Sequence, residues 1–204
     1  MGRRTNRQQE GMRARIAAAA ARIMAEDGID DFALAKRKAA KQLGAADTEA
    51  LPANDEIEAA LRAYLALYQA EEHPERIEEL RRIALDAMLA LEHFHPYLTG
   101  PVLKGIAGPY AEIDLQLFPE SAKEVELFLL ERGIAFETQE ARRYSGDRAH
   151  AVSIFTLLWE DAPLRLSVFD PRDERVALKT SQAGRVMQRA GIPELAGLLG
   201  DAPS

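Results

Sequence analysis

The sequence predicts an α+β fold, with an N-terminal helical region followed by a mixed or antiparallel sheet and its flanking helices. In the first half, apolar residues recur at helical spacing. From about Leu98 onward they alternate with polar residues at a period of two, as on half-buried strands. The length of 204 residues sets the scale at one domain or two small ones.

In the first half, Met12, Ile16, Ala19, Ala20, Ile23 and Met24 share a helix face between Arg7 and Asp27, and Gly28 follows as a stop. A shorter helix is expected from Asp31 to Leu43, closed by Gly44, with a linker from Ala45 to Pro52. Asn54 is the expected cap of a third helix bearing Ile57, Leu61, Tyr64, Leu65 and Tyr68. Pro74 suits the first turn of a fourth, which carries Ile77, Leu80, Ile83, Ala84, Met88 and Leu91 and ends near His95-Pro96.

In the second half, Val102 to Ile106 reads as a short apolar strand, and Glu112 to Phe118 alternates strictly. Ser121-Ala122-Lys123-Glu124 has the pattern of a capping box, opening a helix that Gly133 closes. Ile134 to Glu140, Ala151 to Trp159 and Leu164 to Phe169 follow as strands. Ser181 to Leu199 reads as a final helical region, interrupted by Gly191 and Pro193. The expected division is a basic helical arm over residues 1–50 and a second body over 54–204, whose sheet core spans 98–170.

Composition narrows the classes. Residues 1–48 hold ten Lys/Arg against six acids, a balance of +4, which leaves −11 for the rest of a chain of net charge −7. That asymmetry gives the two parts different surroundings: a solvated arm on an acidic body, or an arm that meets a protein or nucleic-acid partner. There is no cysteine, hence no disulfide framework and no thiolate chemistry. No apolar run approaches the length of a transmembrane helix, and no signal-peptide pattern opens the chain. Together these predict a cytoplasmic protein without a membrane partner.

The stretch that carries chemistry is Leu103 to Phe118. On a strand Glu112, Asp114 and Gln116 share one face, and Ile113, Leu115 and Leu117 the other. Adjacent acids on one face repel unless a cation lies between them. The pair is therefore either a Mg²⁺ site for phosphate chemistry or a solvated face beside Lys104 and Arg165. Gly105, Ala107 and Gly108 make either a phosphate cradle or a plain turn. His93 and His95 are two apart and point to different sides, which favours a cap or surface role over a metal pair. Arg142, Arg143 and Arg148, around Tyr144-Ser145-Gly146, either grip nucleotide or RNA phosphate or lie on a solvated hairpin loop. Trp159 reads as packing, and Asp170 to Arg175 as a charged surface turn.

Strand, glycine turn, acid–hydrophobic–acid–hydrophobic strand, helix and strand, from Leu98 to Asp170, resemble the core of the nucleotidyltransferase superfamily. The resemblance implies that Glu112 and Asp114 are catalytic acids that hold Mg²⁺. It implies that Gly105, Ala107 and Gly108 approach the triphosphate of a nucleotide, and that Lys104 or Arg165 offsets phosphate charge. The chain departs from the family's pattern in four ways: no serine follows Gly105, the connection between turn and acids is shorter than usual, the first acid is Glu, and the later strand Leu164 to Asp170 offers Arg165 and Ser167 where a third carboxylate belongs. The resemblance thus implies an active Mg²⁺-dependent nucleotidyltransferase or a degenerate one. The alternative is a non-catalytic binding or regulatory protein. The chain also resembles an uncharacterised proteobacterial family whose members often bear the label UDP-N-acetylmuramate–alanine ligase. It has no G-x-x-x-x-G-K-[ST] phosphate loop to support that label. The two N-terminal helices resemble the opening of small helix-turn-helix repressors, but no recognition helix follows. Sequence-specific DNA binding is not expected.

Overall fold

In the computed structural model the described residues are 2–29, 31–45, 50–145, 148–176, 178–179 and 186–200. The chain divides into two compact units: Met1–Glu75 with Ile106–Ala111, and Arg76–Gly105 with Glu112–Ser204.

The first unit is helical. Helix α1 spans Gly2–Asp27, α2 Phe32–Gln42 and α3 Asn54–Tyr68, and α4, Glu72–Ala90, begins in it. Asp31 caps α2, its carboxylate accepting from the amides of Ala33 and Leu34 at 2.7 and 3.1 Å. Asn54 is not the cap of α3; it is the first helical residue, and Ala53 holds the cap position. The carboxylate of Glu56 reaches back to accept from the Ala53 amide at 2.6 Å, so a side chain three residues on does the capping.

Alanines on α1 and α2 (Ala17, Ala20, Ala21, Ala35, Ala39, Ala40) line a core with Ile16, Ile23 and Met24. Ile57, Leu61 and Leu65 of α3 belong to the same core. The break expected between 50 and 54 therefore falls inside one packed unit, because α3 buries its apolar stripe with α1 and α2. Ile106 joins this core, and His73 Nε2 lies 3.2 Å from the carbonyl of Ala107.

Three basic residues of the arm have acidic neighbours. Arg13 grips Glu56 at 2.6 to 2.9 Å, and Arg22 and Lys38 lie 3.9 and 3.8 Å from Glu26 and Asp27. The Arg13 hydrogen bonds, with that of the Ala53 amide, hold the Glu56 carboxyl below its ordinary pKa.

The second unit holds a mixed seven-stranded sheet among the described residues. Its strands are β1 (Tyr97–Thr99), β2 (Ile113–Leu117), β3 (Phe136–Ser145), β4 (Arg148–Trp159), β5 (Ala162–Val168), β6 (Leu178–Lys179) and β7 (Arg189–Ala190). Their order is β6-β3-β4-β5-β2-β1-β7. Only β2 and β5 run parallel; the other pairs are antiparallel. Helices α5 (Gly100–Lys104), α6 (Ala122–Glu131) and α7 (Ile192–Gly200) complete it. The Ser121 hydroxyl accepts from the Lys123 amide at 3.2 Å and so caps α6.

Four expectations are corrected. Val102 to Ile106 is not a strand: Val102 to Lys104 lie in α5, and Gly105 ends it at φ +67°. Gly100-Pro101 starts that turn and Gly105 stops it, the usual asymmetry of a helix. A five-residue apolar run cannot by itself distinguish strand from buried helix. The fourth helix ends at Ala90 rather than near His95, and a 3₁₀ turn, Glu92–Phe94, carries the chain to His95 at φ 51°. Arg142, Arg143 and Arg148 are not in a loop but on the paired strands β3 and β4; Gly146 lies outside the described residues. The last helical region begins only at Ile192, and Arg189–Ala190 pairs with β1; residues 180–185 are not described.

The sheet segregates its faces. Leu98, Ile113, Leu115, Leu117, Leu164 and Leu166 are all at most 1 % exposed on one side. Directly opposed residues share a face. The registers thus align Arg189, Thr99, Asp114, Arg165, Thr156 and Glu137 in one row across the other side. This polar row positions the candidate site.

Candidate functional site

Glu112 precedes β2 and Asp114 is its second residue. Alternation puts both on the polar face, and the structure shows them reaching the same group. Asp114 lies opposite Arg165 in the parallel β2–β5 register. Arg165 Nε and Nη2 each lie 2.6 Å from Asp114 Oδ1, and Nη1 lies 3.0 Å from Glu112 Oε2. One planar guanidinium thus bridges both acids, the geometry for which its fork of donors is suited. The side chains are half-buried, with Asp114 the most covered at 16 % exposed.

The wall beside Asp114 is Gly100. It is the first residue of α5, directly after β1, at φ +74°, and a β-carbon there would stand 2.6 Å from Asp114 Oδ2. Only glycine holds this backbone without strain and also leaves room for the carboxylate. Gly100→Ala is expected to cost about 1–2 kcal/mol, from left-handed strain and displacement of Asp114. Urea unfolding followed by the fluorescence of Trp159 measures it, since that side chain is anchored in the same unit by its indole N–H to Asp86 at 2.9 Å.

At the other end of α5, Arg81 donates to the carbonyls of Val102 and Leu103 at 3.2 and 2.8 Å. It thereby satisfies acceptors that a short helix leaves open. Burial lowers the Arg81 pKa. Lys104 is the last residue of this helix and Gly105 its C-cap. Ala107 and Gly108 belong to the first unit, where Ala107 is fully buried and Gly108 faces the Met24 carbonyl. Among the residues singled out in the sequence, the structure therefore brings Glu112, Asp114 and Arg165 together. It adds Gly100, which sequence reasoning missed although a Gly-Pro pair marks a turn.

Further along the face, Thr99 donates to the Gln188 carbonyl at 2.8 Å, and the Arg189 guanidinium stacks 4.6 Å over the ring of Tyr97. Tyr97 donates to Glu174 at 2.9 Å, and His95 Nδ1 lies 3.2 Å from the same carboxylate. Burial, then the bond to Glu174, raises the Tyr97 pKa. His95 thus has a carboxylate partner rather than a metal-pair geometry with His93. Asp170, of opposite parity to Arg165, accepts from the Arg172 amide at 2.8 Å and caps the 3₁₀ turn Pro171–Arg175.

No family model, no curated protein and no solved structure matches this chain.

The acid pair can be tested as a metal site on its own geometry. Mg²⁺ asks for octahedral oxygen ligands, commonly one or two carboxylates together with substrate phosphates and waters. Here the nearest strand position on the far side of Asp114 supplies a cation, Arg165, whose donors already engage both acids. Among the described residues no group of three or more His, Cys, Asp or Glu could hold a metal. With Arg165 in this position, Glu112 and Asp114 do not fit a magnesium site.

Proposed function

We propose that this chain is a nucleotidyltransferase-like protein in degenerate form, which binds a nucleotide or related phosphate-bearing ligand on the polar sheet face without transferring it. The observation that carries the reading is the close approach of Gly100, at the start of α5, to the strand carboxylate Asp114, with Glu112 beside it on the same face. A glycine turn against acid–hydrophobic–acid is the arrangement the resemblance rests on. In this chain the turn that touches the acid is Gly100-Pro101 rather than Gly105 to Gly108. Loss of transfer follows from the charge. Arg165 engages both acids that would otherwise hold the divalent ions on which charge stabilisation at phosphorus relies.

The test has two arms. In a transfer assay with labelled nucleoside triphosphates and Mg²⁺ or Mn²⁺, the wild-type chain is expected to give no product. Robust metal-dependent transfer that Asp114→Ala abolishes would make it an active enzyme instead. In a thermal-shift panel, a bound nucleotide at one hundred times its dissociation constant is expected to add about 2.7 kcal/mol of stability. No shift with any nucleotide would remove the binding half of the reading.

A further inference from the structure

We infer that Arg165 is an internal cation standing where a divalent ion would bridge the two strand carboxylates, so that the site keeps a fixed positive charge and works without metal. The inference rests on the reading above only for the identity of the ligand; the exchange of charge is independent of it.

Three observations support it. The register places Arg165 on the strand next to Asp114 and on the same face, so its side chain rises beside the acids without a long reach. Its three guanidinium nitrogens all lie within 3.0 Å of a carboxylate oxygen, two at Asp114 and one at Glu112. Both acids are therefore tied to one group, which relieves the repulsion that neighbouring carboxylates on a strand would otherwise meet. Third, the charge on arginine is permanent at any pH the fold meets. A metal approaching the acids would have to break these charge-assisted bonds and then share the space with the displaced guanidinium. The site is thereby closed to divalent ions by the side chain that ties its two acids together.

The experiment is a Mn²⁺ titration of the full chain followed by electron paramagnetic resonance, comparing wild type with Arg165→Met, Arg165→Lys and Arg165→Met combined with Asp114→Asn. Arg165→Met is expected to bind Mn²⁺ at least about tenfold more tightly than wild type, because it removes the guanidinium that engages both carboxylates. Arg165→Lys, which keeps the charge, is expected to stay near wild type. Adding Asp114→Asn to Arg165→Met is expected to abolish the gain. Wild type binding as tightly as Arg165→Met would overturn the inference, since the arginine would then be no barrier. Absence of a gain in a folded Arg165→Met would overturn it too, since the acids would then not form a latent metal site.

If Arg165→Met does not fold, wild type alone decides. Mn²⁺ added to the labelled chain is expected to leave the amide signals of Glu112 and Asp114 unbroadened, and selective broadening there would sink the idea. The outcomes separate from those of the functional reading. A flat nucleotide panel with the Mn²⁺ pattern as expected removes the ligand and leaves the internal cation; the converse removes the internal cation alone.

Discussion

Replacing Arg165 by Met is expected to destabilise the second unit by about 2–3 kcal/mol, between the small worth of an exposed ion pair and the larger cost of stranding a buried charge. The intermediate figure follows from the half-buried side chains, with Asp114 the most covered of the three. Met keeps most of the apolar stem of the arginine, so lost packing contributes little. What remains is two carboxylates on one face without the guanidinium that bridged them. Asp114→Asn added to Arg165→Met removes that repulsion and is expected to recover much of the loss. In wild type the same change breaks the bridge and is expected to destabilise. The sign reversal of Asp114→Asn between backgrounds is the signature of direct coupling, and a double-mutant cycle from urea unfolding measures it. If the two changes simply add, Arg165 and Asp114 are not coupled and the bridge between them carries little of the unit's stability.

Local pattern made a good part of the fold legible in the sequence. Helices α1 to α4 follow from apolar residues at helical spacing, and the shared side of Glu112 and Asp114 follows from alternation with Ile113 and Leu115. What was not legible depends on length, caps and register. The Val102 to Lys104 stretch is too short for periodicity to choose between states, and the deciding residues, Gly100, Pro101 and Gly105, flank it. The full length of the β3–β4 pairing is hidden in the sequence because Glu140 to Arg148 is mostly polar; the pairing of Arg142 with Ala151 and Arg143 with His150 is made across the two strands, not along them. The last strand, Arg189–Ala190, is two residues that make a strand only because β1 offers an edge. For the site the limit is sharper. Arg165 could be placed on a polar face, but its facing Asp114 depends on a parallel pairing between residues 51 positions apart. No local pattern encodes that pairing. The same register makes the group beside the acids a cation, and this decides between a metal site and a bridged one.

The other large effect belongs to the helical unit. Ile57→Ala is expected to cost about 3–4 kcal/mol, toward the upper part of the range for truncating a buried aliphatic side chain. Ile57 is fully buried in the first turns of α3, in one cluster with Ile16, Ala20 and Leu61. The alanines of α1 and α2 set the magnitude. A core lined by Ala17, Ala20, Ala21, Ala35, Ala39 and Ala40 brings helix backbones close, and short side chains cannot reach into a void left by a neighbour. The cavity would then stay open rather than collapse, which is the condition for a high cost. Ile57→Val removes one methylene and is expected to cost only about 1 kcal/mol. Far-UV circular dichroism during urea unfolding measures both, since α1, α2 and α3 dominate the helical signal. The same packing bears on the N-terminal arm. If α1 and α2 were a detachable basic extension ending near residue 50, Ile57 would face solvent in a chain shortened to begin at Asn54, and Ile57→Ala would then be nearly neutral in both lengths of chain. Burial of Ile57 with Ile16 predicts instead a large cost in the full chain and a poorly helical α3 in the shortened one.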